Sequence, residues 1–204
     1  MGLEHEDEFM ARIYDCRYRQ TAIRLYWLIM SKAVPVRPQS SEYAESYADY
    51  ISKVPGNDAL DFLQQQLDSA VNWFGSITES VGNTRYEPGK WSVKEVLGHI
   101  IDSERVFAYR ALVFARGDRT PLPGFDQEPW AQHANYANVP LHDIAAEFEV
   151  VRRATIAQFR HLDSEAWNRR GTANSNEITV RAAAFIIGGH TQHHIDILRT
   201  RYRI

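Results

Sequence analysis

The chain has 204 residues, of which 44% are hydrophobic and 24% are charged, and its formal net charge is -3. This length and composition are typical of one globular domain with a sizeable buried core. The charge argues against a nucleic-acid-binding protein, because such proteins carry a clustered positive surface and no basic block occurs in this sequence.

Residues 1–41 differ from the rest of the chain and are predicted to form an N-terminal extension, part of which could be poorly ordered. The segment from residue 14 to residue 30 mixes arginine, aromatic and aliphatic residues and could form an amphipathic helix that packs on the domain or on a partner. Pro35 and Pro38 end any helix there. The domain itself is predicted to span residues 42–204.

The extension also bears on localisation. Its cysteine, Cys16, is the single cysteine of the chain, which excludes an internal disulfide framework and fits a reducing compartment. The apolar run at residues 25–30 is too short to span a bilayer. Residues 4–8 are acidic where a signal peptide has its positive region. We therefore expect a cytoplasmic protein that does not bind a membrane.

Four long helices are predicted in the domain from apolar residues that recur at helical spacing. The first is capped at residues 57–58 and continues to about residue 79. The second begins with a capping box formed by Ser92 and Glu95 and ends near residue 116. The third begins near Pro140 and continues to residue 162, and the fourth follows Thr179.

A long connection containing proline and glycine joins the second and third helices at residues 117–129. Such a connection is often a lid or a pocket wall in a helical bundle, although a packed crossover without chemistry is the alternative. No strand pattern is visible, and residues 169–174 are predicted to be a loop. Four helices with this long connection predict an all-α four-helix bundle.

The last helix carries three of the eight histidines within five residues. His190 and His194 are four residues apart, so they lie on one helix face at a spacing that suits two ligands of one metal ion. His193 lies about 100° round the helix and could line the same mouth without binding the ion. Gly188 and Gly189 lower helix propensity here, which we interpret as close helix approach or room beside the metal.

An open catalytic metal site needs three protein ligands and a free position. His99, at the border of the apolar stripe of the second helix, is the best third ligand, and His133 is a weaker alternative. Four-helix bundles place metal sites between facing helices, which this trio requires. The structural alternative is that these histidines only pack in the core.

Four further residues are pocket candidates. Glu104 lies near the apolar stripe and needs a buried partner, for which Arg110 or a residue on a neighbouring helix is a candidate. A structural ion pair and a supporting group near the metal are both compatible with this position. Asp126, in the long connection, and His193 complete the candidates.

Several separated motifs, in the right order, resemble the DinB/YfiT-like superfamily of metal-dependent enzymes over residues 42–204. They are Tyr86-x-Pro88-Gly89-Lys90-Trp91-Ser92, Gly98-His99-x-x-Asp102-x-Glu104-Arg105, Leu122-Pro123-Gly124-Phe125-Asp126 and Gly188-Gly189-His190-x-x-His193-His194. The resemblance implies a bundle in up-down-down-up order, often a homodimer. It also implies one divalent ion, zinc or nickel, bound by His99, His190 and His194.

The resemblance further implies an enzyme with a small-molecule substrate, because relatives transfer thiols such as bacillithiol, mycothiol or glutathione, or isomerise with a thiol's help. We predict transfer of a low-molecular-weight thiol cosubstrate to an electrophile held under Phe125 and Trp130. One alternative is hydrolysis by metal-bound hydroxide, with Glu104 or Asp126 moving protons. The other is a bundle that binds a metal or a ligand without catalysis.

Overall fold

The computed structural model describes residues 36–204, so Cys16 and the helix predicted within residues 14–30 lie outside the described residues. The helices are α1 (Ala48–Ser52), α2 (Ala59–Ser76), α3 (Glu79–Gly82), α4 (Val93–Ala115), α5 (Gln127–His133), α6 (Leu141–Arg160), α7 (Ser164–Asn168) and α8 (Val180–Ile197). Strands β1 (Arg170–Ala173) and β2 (Asn176–Thr179) precede α8, and a π-helical turn (Leu198–Tyr202) follows it. Short 3-10 turns occupy Ser40–Glu42, Glu45–Tyr47 and Tyr136–Asn138.

The four long helices form the predicted bundle, in which α2 and α4 occupy opposite corners because each packs on both α6 and α8. Contacts that advance in the same direction along two helices identify the parallel pairs. For α2 and α8 these contacts join Gln66 to Gly188 and Trp73 to Arg199, which lies in the turn that continues α8. For α4 and α6 they join Glu104 to Arg152 and Ala108 to Gln158. Contacts that run in opposite directions join α2 to α6: Gln64 with Arg160 and Phe74 with Phe148. The predicted up-down-down-up order is therefore confirmed.

The long helices begin at the predicted caps. The side chain of Asp58 accepts hydrogen bonds from the first turn of α2, Ser92 forms the predicted capping box with Glu95 at the start of α4, and Thr179 caps α8. Each such cap contributes about 1 kcal/mol to helix stability. The first helix ends at Ser76, earlier than predicted, and the next residues form α3 as a separate turn.

The prediction that residues 169–174 form a loop without strands is wrong. β1 pairs with β2 as an antiparallel hairpin, with Arg170 opposite Thr179 and Ala173 opposite Asn176. Asn174 and Ser175 both have positive φ at the turn, as two-residue hairpin turns require. Strands of four residues are too short to show a clear alternation in sequence, and an Asn-Ser turn is a weaker signal than Asn-Gly.

The hairpin holds the long connection against the bundle. Leu122 donates from its backbone N–H to the carbonyl of Thr172 at 2.9 Å and accepts from the N–H of Asn174 at 3.0 Å. The following residues then pass along α4 before α5 begins at Gln127. The connection therefore packs against the hairpin and lines a cleft with its residues 122–125, which is compatible with both predicted alternatives.

Close approach of α1 to α8 explains Gly189. A Cβ atom at this position would lie 1.8 Å from the backbone carbonyl oxygen of Tyr50. This glycine lets α1 pack directly beside His190, as the sequence predicted for the glycine pair. No helix in the described part of the chain is long and apolar enough to cross a membrane.

We expect Gly189→Ala to lower the free energy of unfolding by about 1–3 kcal/mol, because α1 must move away from α8. Gly75→Ala is the matched control, since Gly75 is also helical and a Cβ there meets no atom within 4 Å. That control should be stabilising by about 0.5–1 kcal/mol. Urea denaturation of both variants measures the difference, and equal effects would contradict the packing explanation.

Candidate metal centre

Three imidazoles from two facing helices converge on one point in the bundle. His99 belongs to α4, whereas His190 and His194 belong to α8. The Nε2 atom of His190 lies 3.1 Å from Nε2 of His99 and 3.2 Å from Nε2 of His194, and all three ligand atoms lie within 4.8 Å of one another. Tetrahedral zinc with Zn–N distances of about 2.0–2.1 Å separates its ligand nitrogens by about 3.3 Å. The spacing therefore fits one shared cation.

The protonation state of the three imidazoles also favours a shared cation. Burial lowers the pKa of His99 to about 4, with a smaller contribution from His193. Burial is also the main cause that lowers the pKa of His190 and His194 well below the ordinary value, followed by the neighbouring imidazoles. Neutral imidazole is the form that binds a metal.

Hydrogen bonds alone fit this cluster poorly. A neutral ring nitrogen carries either one proton or one lone pair. The Nε2 atom of His190 faces two other ring nitrogens, so it cannot both donate to one and accept from the other. A cation that accepts one lone pair from each imidazole satisfies all three nitrogens, and the donor set fits zinc or nickel.

Aromatic rings fix the orientation of two imidazoles. The ring of Trp91 lies 4.9 Å from the ring of His99, and the ring of Tyr50 lies 5.3 Å from that of His190 in an edge-to-face arrangement. The hydroxyl of Ser103 lies 3.5 Å from Nδ1 of His99. These contacts leave both Nε2 atoms directed at the common point.

A buried polar network holds α8 in place beneath the cluster. Arg152 is fully buried. Its guanidinium donates hydrogen bonds to both carboxylate oxygens of Glu104 at 2.9–3.0 Å. It also donates to Gln66 at 2.7 Å and to the hydroxyl of Thr191 at 2.9 Å, and Gln66 donates in turn to the carbonyl of Gly188 at 3.1 Å. One side chain on α6 therefore connects all four long helices next to His190.

This network identifies the buried partner of Glu104. Its partner is Arg152 on a neighbouring helix, so the alternative that Arg110 is the partner is wrong. The carboxylate is buried and bound by a guanidinium on both oxygens. Glu104 is therefore a structural residue that supports α8, and this geometry leaves it no route to move protons in a cleft.

Two clefts open at the histidine cluster. The first, called here the tyrosine cleft, has a volume of about 350 Å³ and is lined by Tyr47, Tyr50, His99 and His190 among others. The second, called the tryptophan cleft, has a volume of about 270 Å³ and reaches the cluster at His194 beside Trp91. Gln127, the first residue of α5, lines both clefts.

A third, largely apolar cleft of about 370 Å³ adjoins the tyrosine cleft. Its lining includes Val106, Tyr109, Leu122, Phe125 and Trp130. Phe125 and Arg110 line this apolar cleft and the tyrosine cleft alike. The two aromatic residues predicted to hold an electrophile are thus in contact, with ring centroids 4.8 Å apart for Phe125 and Trp130.

The other candidates differ in their relation to the centre. Asp126 caps α5. Asp126 and Arg110 both line the tyrosine cleft. His193 does not line this cleft: it lies in a separate surface cleft beside Lys53, against the ring of Tyr50. His133 is exposed, with its Nδ1 2.6 Å from the carbonyl oxygen of Pro129, and is not part of the cluster.

Sequence analysis gave no site role to several residues. Tyr47 and Tyr50 precede the first predicted long helix and were not assigned to the site, although their spacing of three places them on one helical face. Arg152 and Gln66 lie in helices that were predicted from their apolar residues, but neither polar side chain was given a role. A buried arginine in such a stripe is the signal that could have identified the partner of Glu104.

Comparison with known proteins identifies similar chains. The model of the DinB superfamily matches residues 60–198. Two proteins of Oceanobacillus iheyensis that carry the provisional name of metal-dependent hydrolase are 26% and 25% identical. The first alignment covers 70% of this chain and 84% of the relative, and the second covers 68% and 72%.

Two solved structures share the fold. YfiT from Bacillus subtilis, described as a probable metal-dependent hydrolase with an unusual four-helix bundle topology, is 22% identical with a TM-score of 0.61, covering 83% of this chain and 93% of that one. A mycothiol-dependent maleylpyruvate isomerase is 12% identical with a TM-score of 0.55, covering 68% of this chain and 58% of that one.

Proposed function

The chain belongs to the DinB superfamily, and on that basis we propose that it is a metal-dependent enzyme that transfers a low-molecular-weight thiol to an electrophilic small molecule. The observation that carries the proposal is the convergence of His99, His190 and His194 at a point reached from two clefts. Zinc or nickel is the proposed cation, because imidazole ligands suit both.

The cation and the chain have separate tasks. A divalent cation with three imidazole ligands and a free position lowers the pKa of a coordinated thiol or water molecule. The three histidines hold that cation, and the rings of Trp91 and Tyr50 keep two of them oriented. Their burial lowers the pKa of these imidazoles and so favours the neutral form, which has a lone pair to offer a cation.

Two clefts at one centre favour a reaction of two substrates. In the proposed transfer, the thiol sulfur forms a bond to the electrophilic carbon, and the bond from that carbon to its leaving group breaks. The proton of the thiol passes to a carboxylate of the chain and from there to the leaving group or to solvent, so no external oxidant or reductant is needed. We assign the electrophile to the tyrosine cleft, which joins the apolar cleft, and the thiol to the tryptophan cleft.

Asp126 is the proposed acceptor of the thiol proton, because it lines the tyrosine cleft directly before Gln127, the residue that lines both clefts. It is the single carboxylate among the described lining residues of the tyrosine cleft, and it lies at the N-terminus of α5 on the exposed side of the cleft. Its side chain already accepts one hydrogen bond, from the N–H of Glu128 at 3.1 Å. Its second oxygen is free of any such bond among residues 36–204 and can receive a proton.

Hydrolysis is the second candidate function, because relatives at 21–26% identity carry the name of metal-dependent hydrolase. It uses the same three histidines but a single organic substrate together with water. With Glu104 bound to Arg152, Asp126 is the remaining candidate that was predicted to move protons in this reaction.

One experiment separates the two functions. The zinc- or nickel-loaded protein is mixed with an activated aryl halide in the presence and absence of cysteine, glutathione, bacillithiol or mycothiol, and separately with an activated aryl ester without thiol. Thiol transfer predicts turnover of the halide that needs both metal and thiol. Metal-dependent turnover of the ester without thiol, and none of the halide with thiol, would identify a hydrolase instead.

A further inference from the structure

Arg110 is a buried cation that has no anionic partner within the part of the chain that the structure describes. The residue is 3% exposed, and none of the ion pairs among residues 36–204 includes it. Removing an ion from water is costly unless a charge of opposite sign compensates it. Arginine stays protonated in proteins, so this side chain cannot become neutral instead.

Two carboxylates of the described chain line clefts together with Arg110, and neither forms an ion pair with it. Asp102 lines the apolar cleft with it, but accepts a hydrogen bond from the hydroxyl of Tyr136 at 3.2 Å and faces Arg105 at 3.7 Å. Asp126 lines the tyrosine cleft and caps α5 with one oxygen, and no ion pair among residues 36–204 joins its other oxygen to Arg110. The charge of Arg110 is thus left for a group that the described chain does not supply.

The guanidinium is also held in a fixed orientation. It lies over the ring of Phe107 at 5.1 Å and over the ring of Phe125 at 6.0 Å, and it donates to the carbonyl of Pro123 at 2.9 Å. These neutral contacts position the cation without neutralising it. A planar guanidinium group held in this way is suited to a carboxylate, which can accept two parallel hydrogen bonds from it.

Arg110 lies where two clefts meet, and this position indicates the shape of the ligand. On one side is the tyrosine cleft with His99 and His190, and on the other is the apolar cleft lined by Val106, Tyr109 and Trp130. We infer that the electrophilic substrate is a carboxylate with an apolar body, whose carboxylate binds Arg110 and whose apolar part fills the adjoining cleft. This inference rests on the proposed function and names its substrate class.

Equilibrium binding tests the inference without turnover. Phenylacetate, 3-phenylpropanoate and hexanoate are titrated into the metal-loaded protein by protein-observed NMR, each beside its neutral amide of the same shape. Arg110→Gln removes the charge, and Arg110→Lys keeps it. Arg105→Gln is the matched control, because Arg105 lines the same apolar cleft but is paired with Glu147 at 2.7 Å.

We expect at least one carboxylate to bind the wild type about ten- to a hundredfold more tightly than its amide, as a charged hydrogen-bonded pair provides. Arg110→Gln should abolish this preference, whereas Arg105→Gln should keep it and Arg110→Lys should keep part of it. Carboxylates that bind no better than their amides would overturn the inference. So would a preference that survives in Arg110→Gln, because the carboxylate would then bind elsewhere, including at the metal.

Thermal unfolding of each variant serves as the control for correct folding. A binding role predicts that Arg110→Gln unfolds at or above the wild-type temperature, because a buried uncompensated charge is removed. If the variant is unfolded or strongly destabilised, Arg110 is a structural residue and the inference is overturned. Failure of the proposed function is distinguishable, since it removes thiol-dependent turnover but leaves the Arg110-dependent preference for carboxylates unchanged.

Discussion

Arg152→Met is expected to lower the free energy of unfolding by about 3–5 kcal/mol, because it leaves the buried carboxylate of Glu104 without its partner. The same substitution removes the hydrogen bonds to Gln66 and Thr191, which fix α8 beside His190. Urea denaturation monitored by circular dichroism measures the loss. We expect the variant to lose metal affinity as well, since the helix that carries two of the three histidines is loosened.

Arg153→Met is the matched control for this prediction. Arg153 is the next residue on α6, but its side chain is 61% exposed and pairs with Glu149 one helical turn away. Exposed pairs of this kind contribute about 0.3–0.5 kcal/mol. A loss of similar size in both variants would show that the Arg152 network does not hold the bundle together.

The second large effect is expected in His190→Ala, which should lower the affinity for zinc or nickel by more than a hundredfold. Loss of an outer-shell partner alone costs about 10–100-fold, and His190 is a central ligand with a neighbour on either side. Thiol-dependent turnover should disappear with the metal. Competition titration against a chromogenic chelator measures the affinity, and circular dichroism checks that the bundle is retained.

His193→Ala serves as the control for His190→Ala. Both residues lie on α8, three positions apart, but His193 lines a separate cleft and is not part of the cluster. Its substitution should change metal affinity by less than threefold, on the order of the scatter among surface substitutions. Thiol-dependent turnover that survives in folded His190→Ala would refute the proposed mechanism.

The sequence predicted features that are encoded locally. Caps at Asp58, Ser92 and Thr179 depend on a few adjacent residues, and helical spacing alone places His190 and His194 on one face. His99 could be found as well, because it lies on a strongly periodic helix and matches a family motif. The structure then brings its Nε2 to 3.1 Å from that of His190.

Features that depend on distant parts of the chain were not predictable in the same way. The partner of Glu104 is 48 positions away on another helix, and helical periodicity does not specify which residues of two helices face each other. Tyr50 lies beside the histidine cluster because Gly189 has no side chain to clash with the backbone of Tyr50, and this is a tertiary contact. The β1–β2 hairpin is stabilised partly by Leu122, which lies about fifty positions earlier.

His193 and Arg110 show the same limit at the level of single side chains. Their positions in the sequence marked both as pocket candidates, but only Arg110 lines the cleft that contains the histidine cluster. A rotation of about 100° along α8 is enough to direct His193 into another cleft. The homodimer implied by the resemblance remains a prediction that size-exclusion chromatography with light scattering can test.

Metal content is the most direct test of the central claim, that His99, His190 and His194 bind one divalent cation. The protein is purified without a histidine tag and analysed by plasma mass spectrometry, beside the double variant His99→Ala/His190→Ala. We predict about one equivalent of a transition metal in the wild type and none in the double variant. No metal in the wild type, even after zinc and nickel are supplied, would contradict the claim and make the three histidines packing residues of the bundle.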